Sequence, residues 1–268
     1  MSRSARFGWT VLLPVKVLAR AKSRLAVLAG DRRGELALAL ASDTVAAVLA
    51  CPPVARVVVV TSDPVAGPLL AGLGAIIVAD PAGRPAGAGG APRGVAGDLG
   101  VQDALNAALR HGAAVAARRW PGTGLAALTA DLPALRPGEL AAVLRAAAAG
   151  GAQDRAAFVP DAAGIGTTLY AVPPGGEFRP LFGGASRARH AASGAVELEL
   201  DDMTGLRRDV DTPEDLRAAL TLGAGPRTTA LAAELLADAL PGLDPHHRAG
   251  QGPRNALDRL DLGRDQLA

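Results

Sequence analysis

The sequence predicts an α/β protein built on a mostly parallel central sheet. Short apolar runs rich in β-branched residues alternate with longer Ala/Leu segments of helical period, the pattern of βαβ units. "ARVVVVTSD" is apolar without alternation, as expected of a strand buried on both faces. Charged or polar clusters recur at the ends of such strands, where open α/β sheets bind their ligands.

In chain order, "TVLLPV" (10–15) is the first strand. "GDRRGELALALASDTVAAVLA" (30–50) is a helix, with Asp31 available as N-cap and Leu36, Leu40, Val45 and Val48 near one face. "ARVVVVTSD" (55–63) is the second strand; a short helix from Pro64 and the strand "AIIVAD" (75–80) follow. Residues 80–100, "DPAGRPAGAGGAPRGVAGDLG", are so rich in Gly and Pro that they read as a mobile loop. Next come the helix "VQDALNAALRHGAAVAARR" (101–119), the strand "GLAALTAD" (124–131) and the helix "RPGELAAVLRAAAAG" (136–150), with Pro137 in its first turn. "AAFVPD" (156–161) and "TTLYAV" (167–172) are strands flanking the turn "AAGIG".

"SRARHAASG" (186–194) is a short helix started by Ser186, and "VELEL" (196–200) alternates as an edge strand does. "LRRDVDTPEDLRAAL" (206–220) is a strand running into a capped helix. The pattern dissolves past residue 222, apart from one helix expected near 228–239. The organisation is therefore one domain over residues 8–222 and a flexible, part-helical extension over 223–268.

Composition narrows the function. No stretch of about 18 residues is apolar and free of Gly, Pro and charge, so no membrane span is expected. The first apolar segment is too short for a signal-peptide core and lacks a small-residue cleavage site. Cys51 is the only cysteine, which excludes intrachain disulfides and thiolate metal clusters; beside Pro52 and Pro53 it reads as structural, and a cytoplasmic setting fits. A net charge of +2 and 3% aromatic residues argue against a nucleic-acid partner.

Four clusters fall at strand ends: the basic loop after the first strand, Thr61 to Asp63, Asp131, and the Asp209/Asp211 pair. In "LLPVKVLARAKSRL", Lys16, Arg20, Lys22 and Arg24 crowd into nine residues. Such a loop suits a nucleoside triphosphate, which carries roughly four negative charges; a solvated basic turn is the other reading. Neither a G-x-x-x-x-G-K-[ST] loop nor a G-x-G-x-x-G after the first strand is present. Asp131, at a strand end in "LTADLPAL", is placed either to hold Mg²⁺ or to cap a helix. Asp209 and Asp211 share one side of an extended strand and repel unless a cation lies between them; the alternative is that Asp211 or Thr212 caps the next helix. In "DAAGIGTTL", Gly164 and Gly166 let backbone N–H groups approach an anion, with Thr167 and Thr168 adding hydroxyls. In "LFGGASRARH", Gly183 and Ser186 open a helix and so an anion site. His190 is either a base or, as is commoner, a surface or phosphate-facing residue.

"PVKVLARAKSRL", "TADLPAL", "GIGTTL", "FGGASRARH" and "DVDTPEDL", in that order and at those separations, resemble the guanylyltransferases of deazaflavin coenzyme F-420 biosynthesis. The similarity spans residues 10 to about 222. These enzymes act on 2-phospho-L-lactate or phosphoenolpyruvate. The resemblance implies a three-layer, Rossmann-like nucleotidyltransferase fold shared with molybdenum-cofactor guanylyltransferase and the sugar-nucleotide (GT-A type) enzymes. It further implies that a small phosphorylated three-carbon acid attacks the α-phosphorus of GTP and that pyrophosphate leaves. It carries acceptor binding onto Thr167, Gly183 and Ser186, with Thr168 as the register alternative to Thr167. It carries Mg²⁺ onto Asp131 with Asp209 or Asp211, and the triphosphate and catalytic charge onto Lys16, Lys22 and Arg24.

The acceptor phosphate is already a nucleophile at neutral pH, so the absence of a Ser-His-Asp arrangement is expected, and catalysis reduces to alignment and charge neutralisation. The long 80–100 loop departs from the family pattern and leaves the guanine pocket open, with Gln102, Asp103 and Asn106 as candidate base or ribose contacts. The tail past 222 is a second departure. A composition resembling that of actinobacterial proteins favours phosphoenolpyruvate. The resemblance leaves room for a homodimer and for hand-over to the pathway's downstream transferase. The rival readings are a molybdopterin-type nucleotidyltransferase, whose glycine-rich first loop is missing here, and a non-catalytic nucleotide-sensing module of the same fold.

Overall fold

A computed structural model describes residues 7–16, 18, 23–81, 98–149 and 155–238. Most of the 80–100 loop, the residues Arg20 and Lys22, and the chain beyond 238 lie outside the described residues. The strands are β1 (Trp9–Pro14), β2 (Val54–Val60), β3 (Ile76–Val78), β4 (Gly124–Leu128), β5 (Ala157–Pro160), β6 (Thr167–Val172) and β7 (Val196–Glu197). The helices are α1 (Ala26–Ala29), α2 (Arg33–Leu49), α3 (Ala66–Gly72), α4 (Asp98–Arg119), α5 (Pro137–Ala149), α6 (Ser186–Ala192), α7 (Thr204–Arg207), α8 (Pro213–Leu222) and α9 (Pro226–Asp238).

The strands form one sheet in the order β3-β2-β1-β4-β6-β5-β7. β1 pairs in parallel with β2 and β4, β2 with β3, and β5 with β7. β6 runs antiparallel to both neighbours, β4 and β5. The chain leaves β1 towards β2 on one side and returns to β4 on the other, so a topological switch point lies at the carboxyl ends of β1 and β4. Because β6 is reversed, its first residue, Thr167, sits on the same rim where β4 ends.

The continuous apolar character of the strands is explained by burial on both faces. In β1 and β2, Val11, Leu13, Val57 and Val59 face α2 and α5, whereas Leu12, Val58 and Val60 face α4. Leu12, Leu13, Val58 and Val60 are all fully buried, and truncating such a leucine to alanine costs about 2–5 kcal/mol. Gly112, a poor helix former within α4, is explained by close approach: a Cβ there would lie 2.6 Å from Val60 Cγ2.

Three local expectations differ from the structure. Asp31 does not cap α2; it lies in a 3-10 turn, and the helix starts at Arg33 without a side-chain cap. Residues 208–211 are no sheet strand: they follow α7, whose N–H groups at Gly205 and Leu206 donate to the buried carboxylate of Glu139. The segment past 222 contains α9, and this helix is part of the core. Leu231, Ala232 and Leu235 pack against Leu36 and Leu40 of α2. Asp43 accepts from Thr228 N–H at 2.7 Å, holding the start of α9 to α2. No helix among the described residues is long and apolar enough to cross a membrane.

Candidate active site

A cavity of about 850 Å³ opens at the carboxyl ends of β1 and β4. Lys16 and Arg24 from the opening loop line it, as do Asp131, Asp209, Asp211, Thr167, Gly183 and Ser186. The acidic, basic and hydroxyl groups singled out in five separate segments are thus brought to one place. Lys22 lies outside the described residues.

The cationic loop is anchored by Asp63 at the end of β2. Its carboxylate accepts from Leu18 N–H at 2.9 Å and from Val65 and Ala66 N–H at 2.9 and 2.8 Å. Burial pushes this carboxyl up, but the three N–H donors outweigh it and its pKa is lowered. Asp63 therefore acts on the site through the backbone of the loop that carries Lys16.

Asp131 follows β4, and its carbonyl accepts from Val210 N–H at 3.1 Å. That single bond brings Asp209 and Asp211 beside it without a strand pairing. Burial, then the charges of Asp131, Asp211 and Asp161, pushes Asp209 up to about 7. Capping of α8 falls to Thr212, whose hydroxyl accepts from Asp215 N–H while the Asp215 carboxylate accepts from Thr212 N–H, so Asp211 is not the cap. Among the described residues no three carboxylates or imidazoles form a ready-made metal cage. Mg²⁺ is held through one or two carboxylates plus substrate phosphates and retains its waters, so the mutual repulsion at Asp209 fits that ion without such a cage.

On the other side of the cavity, β6 presents Thr167, whereas Thr168 is fully buried, with no hydrogen-bond partner for its hydroxyl. The glycine turn before it does not offer its N–H groups to an anion. Asp161 accepts from Ile165 N–H at 2.9 Å and Gly166 N–H at 2.7 Å, and a Cβ at Gly166 would collide with that carboxylate. Gly183 and Gly184 have φ of 98° and 43°, a left-handed backbone that favours glycine. Ser186 is the first residue of α6, a seven-residue helix capped by no side chain.

The strap over residues 181–183 is held from three directions. The Asn106 carboxamide donates to Phe182 C=O at 3.0 Å and accepts from Phe182 N–H at 2.9 Å. Arg189 donates to the carbonyls of Leu181 and Gly183, and Leu181 N–H donates to His190 Nε2 at 2.9 Å. Asn106 thus lies behind the strap and not in the cavity lining. His190 is fully buried, neither at the surface nor facing a phosphate. Arg187 is held by Glu197 at 2.7 and 3.0 Å. Cys51 is buried, and burial pushes its thiol up to about 11, in keeping with a structural role.

The sheet thus combines a switch point, a reversed strand and a charged cavity at the carboxyl rim. The fold is shared with a candidate nucleotide-diphospho-sugar transferase from Desulfovibrio desulfuricans G20, at a TM-score of 0.58 and 15% identity, covering 86% of this chain and 95% of that one. No family model matches the chain. It is 55% identical over 234 residues to the phosphoenolpyruvate guanylyltransferase of Thermomonospora curvata, spanning 87% of this chain and 92% of that protein. It is 58% identical over 229 residues to the phosphoenolpyruvate guanylyltransferase of Streptomyces coelicolor, spanning 85% and 97%. The chain belongs to the phosphoenolpyruvate guanylyltransferase family.

Proposed function

We propose that the cavity transfers GMP from GTP to phosphoenolpyruvate. A phosphate oxygen of the acceptor attacks the α-phosphorus, the bond to the β-phosphate oxygen breaks, and pyrophosphate leaves. The acceptor phosphate is ionised at neutral pH, so no proton has to be removed. The observation that carries this reading is the meeting of Lys16 and Arg24 with the three aspartates and with Thr167, Gly183 and Ser186 in one cavity.

In this reading Lys16 and Arg24, with Lys22, neutralise the triphosphate and the charge that develops on the departing pyrophosphate. Thr167, Gly183 and Ser186 bind the phosphorylated acid and aim its phosphate at the α-phosphorus. Asp131, Asp209 and Asp211 would hold Mg²⁺, which supplies positive charge to the phosphate oxygens. Both substrates are metabolites of the cytoplasm, where we place the enzyme.

The test is pyrophosphate release from each nucleoside triphosphate with Mg²⁺, with and without phosphoenolpyruvate or 2-phospho-L-lactate, followed by mass analysis of the product. Release that requires GTP and phosphoenolpyruvate supports the reading. Preference for 2-phospho-L-lactate reassigns the acceptor. GTP binding with no turnover on either acid points to a nucleotide sensor.

A further inference from the structure

His190 is a buried histidine outside the cavity lining, held at both ring nitrogens. Its ring stacks on Tyr170 at 4.8 Å and on Phe158 at 5.5 Å, with Phe182 edge-on at 5.5 Å. Leu181 N–H donates to Nε2 at 2.9 Å. A backbone amide can only donate, so Nε2 carries the lone pair, and the neutral ring must hold its proton on Nδ1. Nδ1 lies 3.0 Å from Thr167 Oγ1. The Thr167 oxygen is therefore the acceptor in that bond, and its own proton is directed to a different partner. Thr167 lines the cavity.

We propose that His190 is a positioning residue of the acceptor subsite: its ring, protonated at Nδ1, fixes the Thr167 hydroxyl as a donor into the cavity, towards an anionic oxygen of the phosphorylated acid. The inference rests on the proposed function for the identity of that acid, but the tautomer stands on this chain alone. The same ring ties together the three acceptor positions. It bonds Thr167 on β6, holds Leu181 two residues before Gly183, and stands four residues after Ser186 on α6. Protonation of Nε2 would set two donors against each other at Leu181. Burial, with Arg189 close by, keeps the ring neutral by pushing its pKa down to about 4.

Two measurements test this. In the full-length wild-type enzyme labelled with ¹⁵N-histidine, long-range ¹H–¹⁵N correlation identifies the ring that contacts the three aromatic side chains. An Nδ1-protonated neutral ring at pH 7 supports the proposal; an Nε2-protonated ring or an imidazolium overturns it. In kinetics, His190→Phe keeps the ring stack and removes both nitrogens, while Thr167→Val removes the hydroxyl. Each should raise the KM for phosphoenolpyruvate about tenfold, as for loss of a hydrogen bond to a charged group, with the KM for GTP unchanged. Because the two residues act through one bond, the double variant should fall well short of the roughly hundredfold product. Thr167→Ser, which keeps the hydroxyl, should restore the wild-type KM. Additive losses, equal rises in both KM values, or a Thr167→Ser variant as weak as Thr167→Val overturn it. Wild-type pyrophosphate release with phosphoenolpyruvate is read in parallel. Its absence defeats the proposed acceptor, whereas normal wild-type turnover with an unaltered His190→Phe defeats only the positioning role.

Discussion

Replacing Asn106 by alanine removes two buried hydrogen bonds to a single residue. The carboxamide donates to Phe182 C=O at 3.0 Å and accepts from Phe182 N–H at 2.9 Å. After truncation the N–H loses this partner, and the C=O keeps only the 3.4 Å contact from Arg189. A buried polar group stripped of its partner costs about 1–3 kcal/mol. If the strap stays rigid, global stability falls by about 2–4 kcal/mol. If the strap frays instead, the global loss is smaller and the damage moves to Gly183, the next residue, and so to acceptor binding. Urea unfolding separates the two cases, since a lower midpoint at unchanged slope reports a global loss. In either case the KM for GTP stays largely unchanged, while the KM for phosphoenolpyruvate rises in the second. Unchanged stability together with a raised KM for GTP alone would refute the reasoning and make Asn106 a nucleotide contact.

Three further outcomes are expected. Asp131→Asn should lower kcat by roughly 100-fold or more with the fold intact, by removal of a preorganised charge at the reacting phosphates; pyrophosphate release and circular dichroism check it, and unchanged turnover would remove Asp131 from the metal set. Ser186→Ala should raise the KM for phosphoenolpyruvate about fivefold and leave that for GTP unaltered, which steady-state kinetics decide. Asp209 titrates near 7 in the folded chain against 3.8 as its ordinary value. Between those values the folded protein binds the extra proton, so in a chelating buffer stability should fall as pH rises from about 4 to about 7, and Asp209→Asn should flatten the curve. Thermal unfolding across that range is the assay, and identical profiles for the two proteins would sink the assignment.

The charged groups of the cavity at the ends of β1 and β4 were legible in the sequence because their signals are local. An apolar strand that stops and is followed by Lys16, or by Asp131, marks a carboxyl end without any knowledge of tertiary contacts. The β-branched run Val57–Val60 likewise identifies a strand buried on both faces. The misreadings of residues 208–211 and of α9 involve partners distant in sequence, whereas that of the glycine turn involves Asp161, only four and five residues away. Residues 208–211 alternate like a strand, yet α7 before them is set by Glu139, more than 60 residues earlier. Gly164 and Gly166 look like an anion-binding turn until Asp161 takes up the N–H groups of Ile165 and Gly166. The helix α9 reads as tail because its apolar face is short, and only the packing of Leu231 and Leu235 on α2 makes it core.

His190 explains why the part of the cavity lined by Thr167, Gly183 and Ser186 was the less legible. A histidine in "SRARH", just after two arginines, has the local character of a surface residue. What buries it is the reversal of β6, which places Thr167 at the carboxyl rim, 3.0 Å from the imidazole, and stacks the Tyr170 ring on it at 4.8 Å. In an all-parallel sheet the first residue of that strand would lie at the opposite edge, far from Asp131 and the opening loop. The antiparallel strand is therefore what brings Thr167 into the same cavity as Lys16 and Asp131. The parallel strands β1 and β4 deliver charge from their carboxyl ends, and β6 delivers a hydroxyl from its start. Thr129 N–H, donating to Thr168 C=O at 3.0 Å, joins the two halves at the point where they meet.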